Sequence, residues 1–162
     1  MNDNLRLKNN WKLWYHSIND NNWTNNSYRF VHDINTINDI QIMIECIKDN
    51  HLQNGMFFMM KNDIFPTWEY PDNREGSSIS YKIPAQILKE SWDLLLLRII
   101  FEEILVNKEK NSEINGISIS PKKEFNIIKL WIKNYDPEFN NLIKEYPPYF
   151  IKTKSIHRKH IN

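Results

Sequence analysis

The residues of this chain best suited to ligand chemistry are two indoles and a carboxylate set in its loops. Trp68 and Glu69 open the run TWEYPDNREGSS, whose Pro, Asp, Asn and Gly content marks an exposed connection. Trp23 lies in a second such turn, INDNNWTNN. A large apolar ring placed where backbone faces water forfeits its burial unless another segment or a ligand covers it. Both indoles therefore ask for a cover, and Glu69 sets an acceptor-only group beside one of them. Basic residues stand farther on: Lys122 and Lys123 follow Pro121, and the tail KTKSIHRKH carries Lys152, Lys154, Arg158 and Lys159 with no acid. These could meet an anion or form a solvated end.

The bulk composition limits what surrounds them. At 162 residues and 41% hydrophobic, the chain is long enough for one well-buried core and too short for two ordinary domains. A formal net charge of +1 argues against coating duplex DNA or a membrane by charge alone, so any anion site must be local. The lone Cys46 has no thiol companion for a disulfide or a metal site and reads as an apolar filler. With only 3 glycines there is no phosphate-cradling loop, which sets aside Rossmann and P-loop folds. The N-terminus has no signal-type apolar segment, and the greasiest run, Leu94 to Val106, is broken by Arg98, Glu102 and Glu103. The expectation is a cytoplasmic monomer without metal or cofactor.

The elements that must hold the loops follow from periodicity. WKLWYHS and SYRFVHDI alternate around the Trp23 turn and read as a strand pair. GMFFMMKND and SSISYKI read as another pair around the Trp68 loop, and INGISIS with EFNIIKLWIKN as a third. Between them, Thr36 with Asp39 three residues on caps a helix with Ile37, Ile40, Ile44 and Ile47 at helical spacing. Residues 85–107 predict the longest helix, Asp136 and Pro137 start a short one, and YFIKTKS reads as a last strand. Meanders interleaved with single helices predict an α+β fold, an antiparallel sheet with its helices on one face and the other face open beneath the loops. One domain should span 1–162, with residues 1–10 a flexible arm and 152–162 a basic tail.

With WKLWY, Trp23, INTIND, IFPTWE, Trp92 and NGISIS leading to KLWI in this order, the chain resembles the messenger RNA cap-binding translation initiation factor 4E family from Trp11 to about Trp131, and more loosely beyond. The resemblance implies a curved antiparallel sheet with about three helices on its convex face and a cap-binding slot on the concave side. It implies that Trp23 and Trp68 sandwich 7-methylguanine, that Glu69 accepts from the guanine edge, and that Trp131 lies beside the N7 methyl. Lys122 takes the place of a phosphate-binding Arg, with Lys123, Arg158 and Lys159 as further candidates. Elementary chemistry agrees with those residue types. N7 methylation leaves the base cationic, so indole faces attract it beyond stacking, at about 2 kcal/mol per desolvated contact. A carboxylate takes the two N–H donors that guanine offers and adenine does not.

The chain also departs from the family. A second basic position falls on Ile127 and another on Ser78, so dependence on the phosphate chain should be weaker. On the helical face the family docks scaffold and repressor proteins through a Tyr-x-x-x-x-Leu-hydrophobic helix. Here a family Trp is replaced by Gln41, and Asp93 and Phe101 stand at apolar or small positions, while Leu7, Ile37 and Leu97 remain suitable. An aromatic anchor lost and an unpaired Asp buried would each weaken that helix by about a kcal/mol or more. The reading is thus a non-enzymatic cap-binding protein, a divergent or viral copy, that selects capped messenger RNA for translation. Its rivals are a cap-holding repressor unable to recruit the scaffold, a cap-processing enzyme, for which the acids are too scattered to hold metal, and a carbohydrate-binding module.

Overall fold

Two-residue alternation in the strands sorts the apolar side chains onto two faces of one sheet. A computed structural model describes residues 5–161. The strands are β1 (Arg6–Ser17), β2 (Arg29–Thr36), β3 (Gly55–Lys61), β4 (Ser77–Ile83), β5 (Ile114–Pro121), β6 (Asn126–Ile132) and β7 (Ile156–Lys159). The helices among the described residues are α1 (Ile37–Cys46), α2 (Asp49–Asn54), the single turn α3 (Pro71–Arg74) and α4 (Leu88–Ile100). All strand pairings are antiparallel, in the order β2-β1-β3-β5-β6-β4-β7. The expected curved antiparallel sheet backed by helices is the fold observed.

The main core lies between the helices and one face. Leu13, Met59, Ile117, Leu130 and Ile79 point there and meet Met43, Leu52, Trp92 and Leu96, all buried. The intervening residues Phe58, Met60 and Trp131 of the same strands point the other way and, with Ile64 of the following loop, build a small second cluster under the open face. The expected capping box starts α1: Thr36 Oγ1 accepts from the Asp39 amide (3.2 Å) while Asp39 accepts from the Thr36 amide (2.9 Å).

Several expectations change. β3 and β4 are not partners; β5 and β6 lie between them, so the 62–76 connection crosses two strands and arches over the open face. Periodicity could not show this, because strand order is a non-local choice. The long helix stops at Ile100 instead of Asn107. There Glu102 adopts φ 56°, and the Glu102 and Glu103 amides bond to the carbonyls of Ile99 (3.1 Å) and Arg98 (2.7 Å), a Schellman stop. Glu102 is fixed in it by Lys8 at 2.7 Å. Ile104 and Leu105, which prolonged the helical pattern, are instead buried anchors of the following loop. The helix expected after Asp136 is a short 3₁₀ turn, Phe139–Leu142.

Residues expected in a flexible arm and a basic tail join the sheet. Arg6 to Asn10, counted in the flexible arm, extend β1, with Leu7 packed on the core and the Ile37 amide bonded to the Leu5 carbonyl (3.0 Å); residues 1–4 and 162 lie outside the described residues. The strand expected at Tyr149 to Ser155 is an irregular segment pinned by buried Phe150. The strand comes later, as β7, within the basic tail. Pairing with β7 covers what would otherwise be the open edge of β4.

Candidate functional site

The two loops carrying exposed indoles are shaped by their polar residues. In the β1–β2 loop, Asp20 Oδ1 accepts from the Asn22 amide (2.8 Å) and Asn22 Oδ1 from the Thr24 amide (2.9 Å), successive turns that project Trp23. His16, fully buried at the end of β1, ties the loop down. Its Nδ1 lies 2.8 Å from the Ser17 carbonyl and its Nε2 2.8 Å from the Asn22 carbonyl, and its ring underlies Trp23.

The 62–76 loop is organised by Asn73, which is fully buried. Its Nδ2 donates to the carbonyls of Phe65 (3.0 Å) and Thr67 (2.8 Å), and its Oδ1 accepts from Asn115 Nδ2 (2.9 Å). Its own carbonyl accepts from His160 Nδ1 (2.6 Å), which links the loop to the C-terminal strand. Gly76 closes the loop where a Cβ would lie 1.9 Å from the Ile132 carbonyl oxygen, so no side chain fits.

These supports bring Trp23, Trp68, Glu69 and Trp131 to the walls of one cavity of about 300 Å³ on the open face, with Tyr28, Met56 and Phe58 among its lining. Trp23 and Trp68 remain 52% and 49% exposed, so the second cover that each indole needs is not supplied by the described residues. Trp131 is buried, its Nε1 donating to Ser118 Oγ (2.9 Å), and offers the cavity only part of its ring. Burial, aided by the Glu69 carboxylate, pushes the Tyr28 phenol up to about 12. A larger hollow of about 660 Å³ adjoins Glu69 on its other side, walled by Trp14, Phe30 and Phe65. Its Lys12 is paired with Asp33 (3.3 Å) and Asp63 (3.7 Å), leaving no free cation of its own.

The expected anion residues separate. Arg158 faces the open side, registered across Ser78 from Trp131. Lys122 and Lys123 are exposed at the β5–β6 turn. Lys159 belongs to the opposite, helical face with its ammonium 5.3 Å from the Tyr135 ring, because neighbouring residues of a strand point to opposite sides. Lys129 was missed: it stands two residues before Trp131, on the same face, and lines the cavity. Burial, then the like charges of Lys122 and Arg158, hold its ammonium below the ordinary lysine range. A cation crowded by cations is a ready anion partner. Its alternation with Trp131 was the available signal, hidden by the apolar residues on either side.

On the helical face, Leu97 and Phe101 follow Leu94 at helical spacing and form an outward apolar stripe, with Leu7 and Ile37 partly exposed and Gln41 exposed on α1. Asp93 is not unpaired, contrary to expectation. Lys89 donates to it (2.9 Å) and to the Ile44 carbonyl (2.9 Å), joining α4 to α1. Burial nonetheless raises the Asp93 carboxyl above its usual range, against the pull of Lys89.

Comparison with known proteins places this geometry. The sequence model described as eukaryotic initiation factor 4E matches residues 6–155. The eukaryotic translation initiation factor 4E of Saccharomyces cerevisiae is 29% identical over 139 residues, 82% of this chain and 63% of that protein. The Eremothecium gossypii protein of the same name is 30% identical over 135 residues, 79% and 62%. A homolog from Acanthamoeba polyphaga mimivirus is 23% identical over 138 residues, 72% and 51%. The chain thus spans somewhat less than two thirds of the length of the two fungal relatives and about half of the mimivirus one. Among solved structures, Ascaris suum eIF4E-3 with m7G cap superposes with a TM-score of 0.75 at 22% identity, covering 85% of this chain and 78% of that one. Caenorhabditis elegans eIF4E-3 with the 4E-binding protein Mextli and cap analog gives 0.73 at 23% identity, covering 81% and 75%. These likenesses carry the fold, and the family model covers nearly the whole described chain: the protein belongs to the eukaryotic initiation factor 4E family.

Proposed function

We propose that this chain binds the 7-methylguanosine cap of messenger RNA and, in the cytoplasm, selects capped transcripts for translation initiation. The observation that carries the reading is the single cavity walled by Trp23, Trp68, Glu69 and Trp131, four residues drawn from two loops and a strand. In it the cationic base stacks between Trp23 and Trp68, the Glu69 carboxylate takes the guanine N1–H and amino donors, and the N7 methyl faces Trp131. The triphosphate extends over Lys129, with Lys122 and Arg158 beside it and Lys123 at the margin. Lys129 thereby compensates for Ile127, and Lys159 has no part. The slot recognises its ligand and transforms nothing.

Two relatives of known structure are described with cap and with a 4E-binding protein, which supports a protein partner for this chain as well. We place it on the stripe of Leu94, Leu97 and Phe101 with Leu7, Ile37 and Gln41. Asp93, spent in its bridge to Lys89, offers no apolar contact there, which favours a partner other than the usual scaffold helix and keeps a repressor reading in play.

Trp fluorescence titration tests the cap reading. Quenching by 7-methylguanosine triphosphate that exceeds quenching by GTP, and that is lost in Trp68→Ala, is the expected result. Equal affinity for the two nucleotides would overturn it. Pull-down of a scaffold or of a repressor separates the two functional roles.

A further inference from the structure

A third hollow lies at the far ends of β4 and β6, where the open face meets the C-terminal segment at Tyr149. It has a volume of about 520 Å³, and Phe125, Tyr149, Lys82 and Lys154 are among its lining. Register places it on the same line as the indole slot. Across the sheet, Trp131 stands opposite Ser78, which stands opposite Arg158; one step on, Lys129 faces Ser80 and Ser80 faces Ile156; one step further, Ile127 faces Lys82. From the row of Trp131 to the row of Lys82 is four residues of extended strand, about 13 Å. Along that path β4 contributes only buried Ser78 and half-buried Ser80 to the open face, so no large β4 side chain stands between Lys129 on one side and Arg158 on the other.

The chemistry of the far hollow suits a nucleoside. Lys82 Nζ lies 4.7 Å above the Phe125 ring and Lys154 Nζ 5.5 Å above that of Tyr149, so cations occupy the ring faces; Lys154 also donates to the Pro148 carbonyl (2.9 Å), a bond it would exchange for a phosphate. An aromatic platform flanked by lysines is how single-stranded nucleic acid is held without sequence preference, the base on the ring and the ammonium on the phosphate. The charged lining is two lysines and Glu124, so the hollow favours an anionic occupant.

We propose that this hollow receives the ribonucleotide that follows the cap triphosphate: its base replaces a lysine over Phe125 or Tyr149, and Lys82 and Lys154 move onto the next phosphate. The proposal rests on the cap reading of the Trp23–Trp68 slot, and it extends the RNA path along β4 instead of out to solvent at Lys129.

The test is a pair of titrations, with 7-methylguanosine triphosphate and with the dinucleotide cap m7GpppA, on wild type, Phe125→Ala, the double variant Lys82→Ala/Lys154→Ala, and Trp68→Ala. Comparing the ratio of the two affinities between proteins cancels the charge difference between the ligands. Phe125→Ala should lower the relative affinity for m7GpppA by roughly 5- to 150-fold, the range for losing one base stack, with the mononucleotide changed by less than about twofold. The surface lysine variant should lower it in the same direction even if Phe125→Ala proves unstable. Trp68→Ala should weaken both ligands together and leave the ratio as in wild type. An unchanged ratio in both hollow variants, with the mononucleotide still bound, would overturn the second site alone and is also what a peptide occupant would give. Failure of wild type to bind either ligand would remove the cap reading and this site with it.

Discussion

His16 and Trp23 stack face to face, their ring centroids 3.9 Å apart and their planes 1° from parallel. His16 is fully buried, so the rear of Trp23 rests on a fixed surface and its front stays open toward the slot. The half-exposed indole of the β1–β2 loop is therefore set in place before any ligand arrives, and the ordering that a free loop would require on binding is reduced. Replacing His16 by Ala should weaken cap binding by roughly 2- to 10-fold, the scale of immobilising one side chain, and His16→Phe should restore much of it by keeping a ring beneath the indole. Titration of both variants checks this, with circular dichroism confirming the fold.

In the proposed cap slot, Glu69 is the residue that would read the base edge. Glu69→Gln keeps the size and exchanges an acceptor-only group for one that also carries donors, so one guanine N–H loses its partner. Affinity should fall by about 1.5–3 kcal/mol, the worth of a hydrogen bond to a charged group. Calorimetry with 7-methylguanosine triphosphate measures the change. A Gln variant as tight as wild type would show that the base edge points elsewhere.

The face on which each lysine lies predicts salt behaviour. Lys129→Ala should weaken triphosphate binding and flatten its dependence on salt, since each lost phosphate contact reduces the slope by about 0.7. Lys159→Ala, on the helical side beside Tyr135, should leave both unchanged. Affinities across a series of salt concentrations distinguish the two.

Asn73 connects the Trp68 loop to β5 through Asn115 and to β7 through His160. Asn73→Ala removes one of the two donors to each of the carbonyls of Phe65 and Thr67, which keep the Thr67 and Tyr70 amides, at about 0.5–1.5 kcal/mol for each lost bond. Thermal unfolding should shift down, and Trp68 emission should move toward that of a solvated indole.

Two histidines, His157 in β7 and His160 just past its end, predict a loss of stability in acid. Burial is the main reason that His157 and His160 both titrate below the ordinary imidazole value; nearby Asp136 opposes it at the first and the Asn73 carbonyl at the second. A base with a depressed folded value binds protons more readily when unfolded, so its contribution is full above the unfolded imidazole range and is lost as pH falls through the folded value. Melting temperature should therefore drop on acidification from neutral pH through the region just below the imidazole range. The drop should be smaller in the double variant His157→Gln/His160→Gln.

The sequence by itself determined what depends on neighbours a few residues apart. Alternation drew β3, β4, β5 and β6 near their true bounds and the C-terminal half of β1, Thr36 and Asp39 announced the start of α1, and the polar runs around Trp23 and Trp68 marked both indoles as loop residues without a local cover. The local pairs β1–β2 and β5–β6 were legible as well, but only the tertiary structure decided how those pairs stand beside β3, β4 and β7, and with that the rest of the site. Placing β5 and β6 between β3 and β4 sends the Trp68 loop across the sheet to meet Trp23. The register of β6 turns Lys129 toward that meeting point, and pairing of β7 with β4 puts Arg158 on the open face and Lys159 on the other. His16 and Asn73 carry no mark in the sequence, because their importance comes from carbonyls and rings brought to them by folding. Local hydrogen bonding and side-chain period are written within a short window of chain, whereas strand order is set by the total apolar surface that distant segments bury together, which no short window contains.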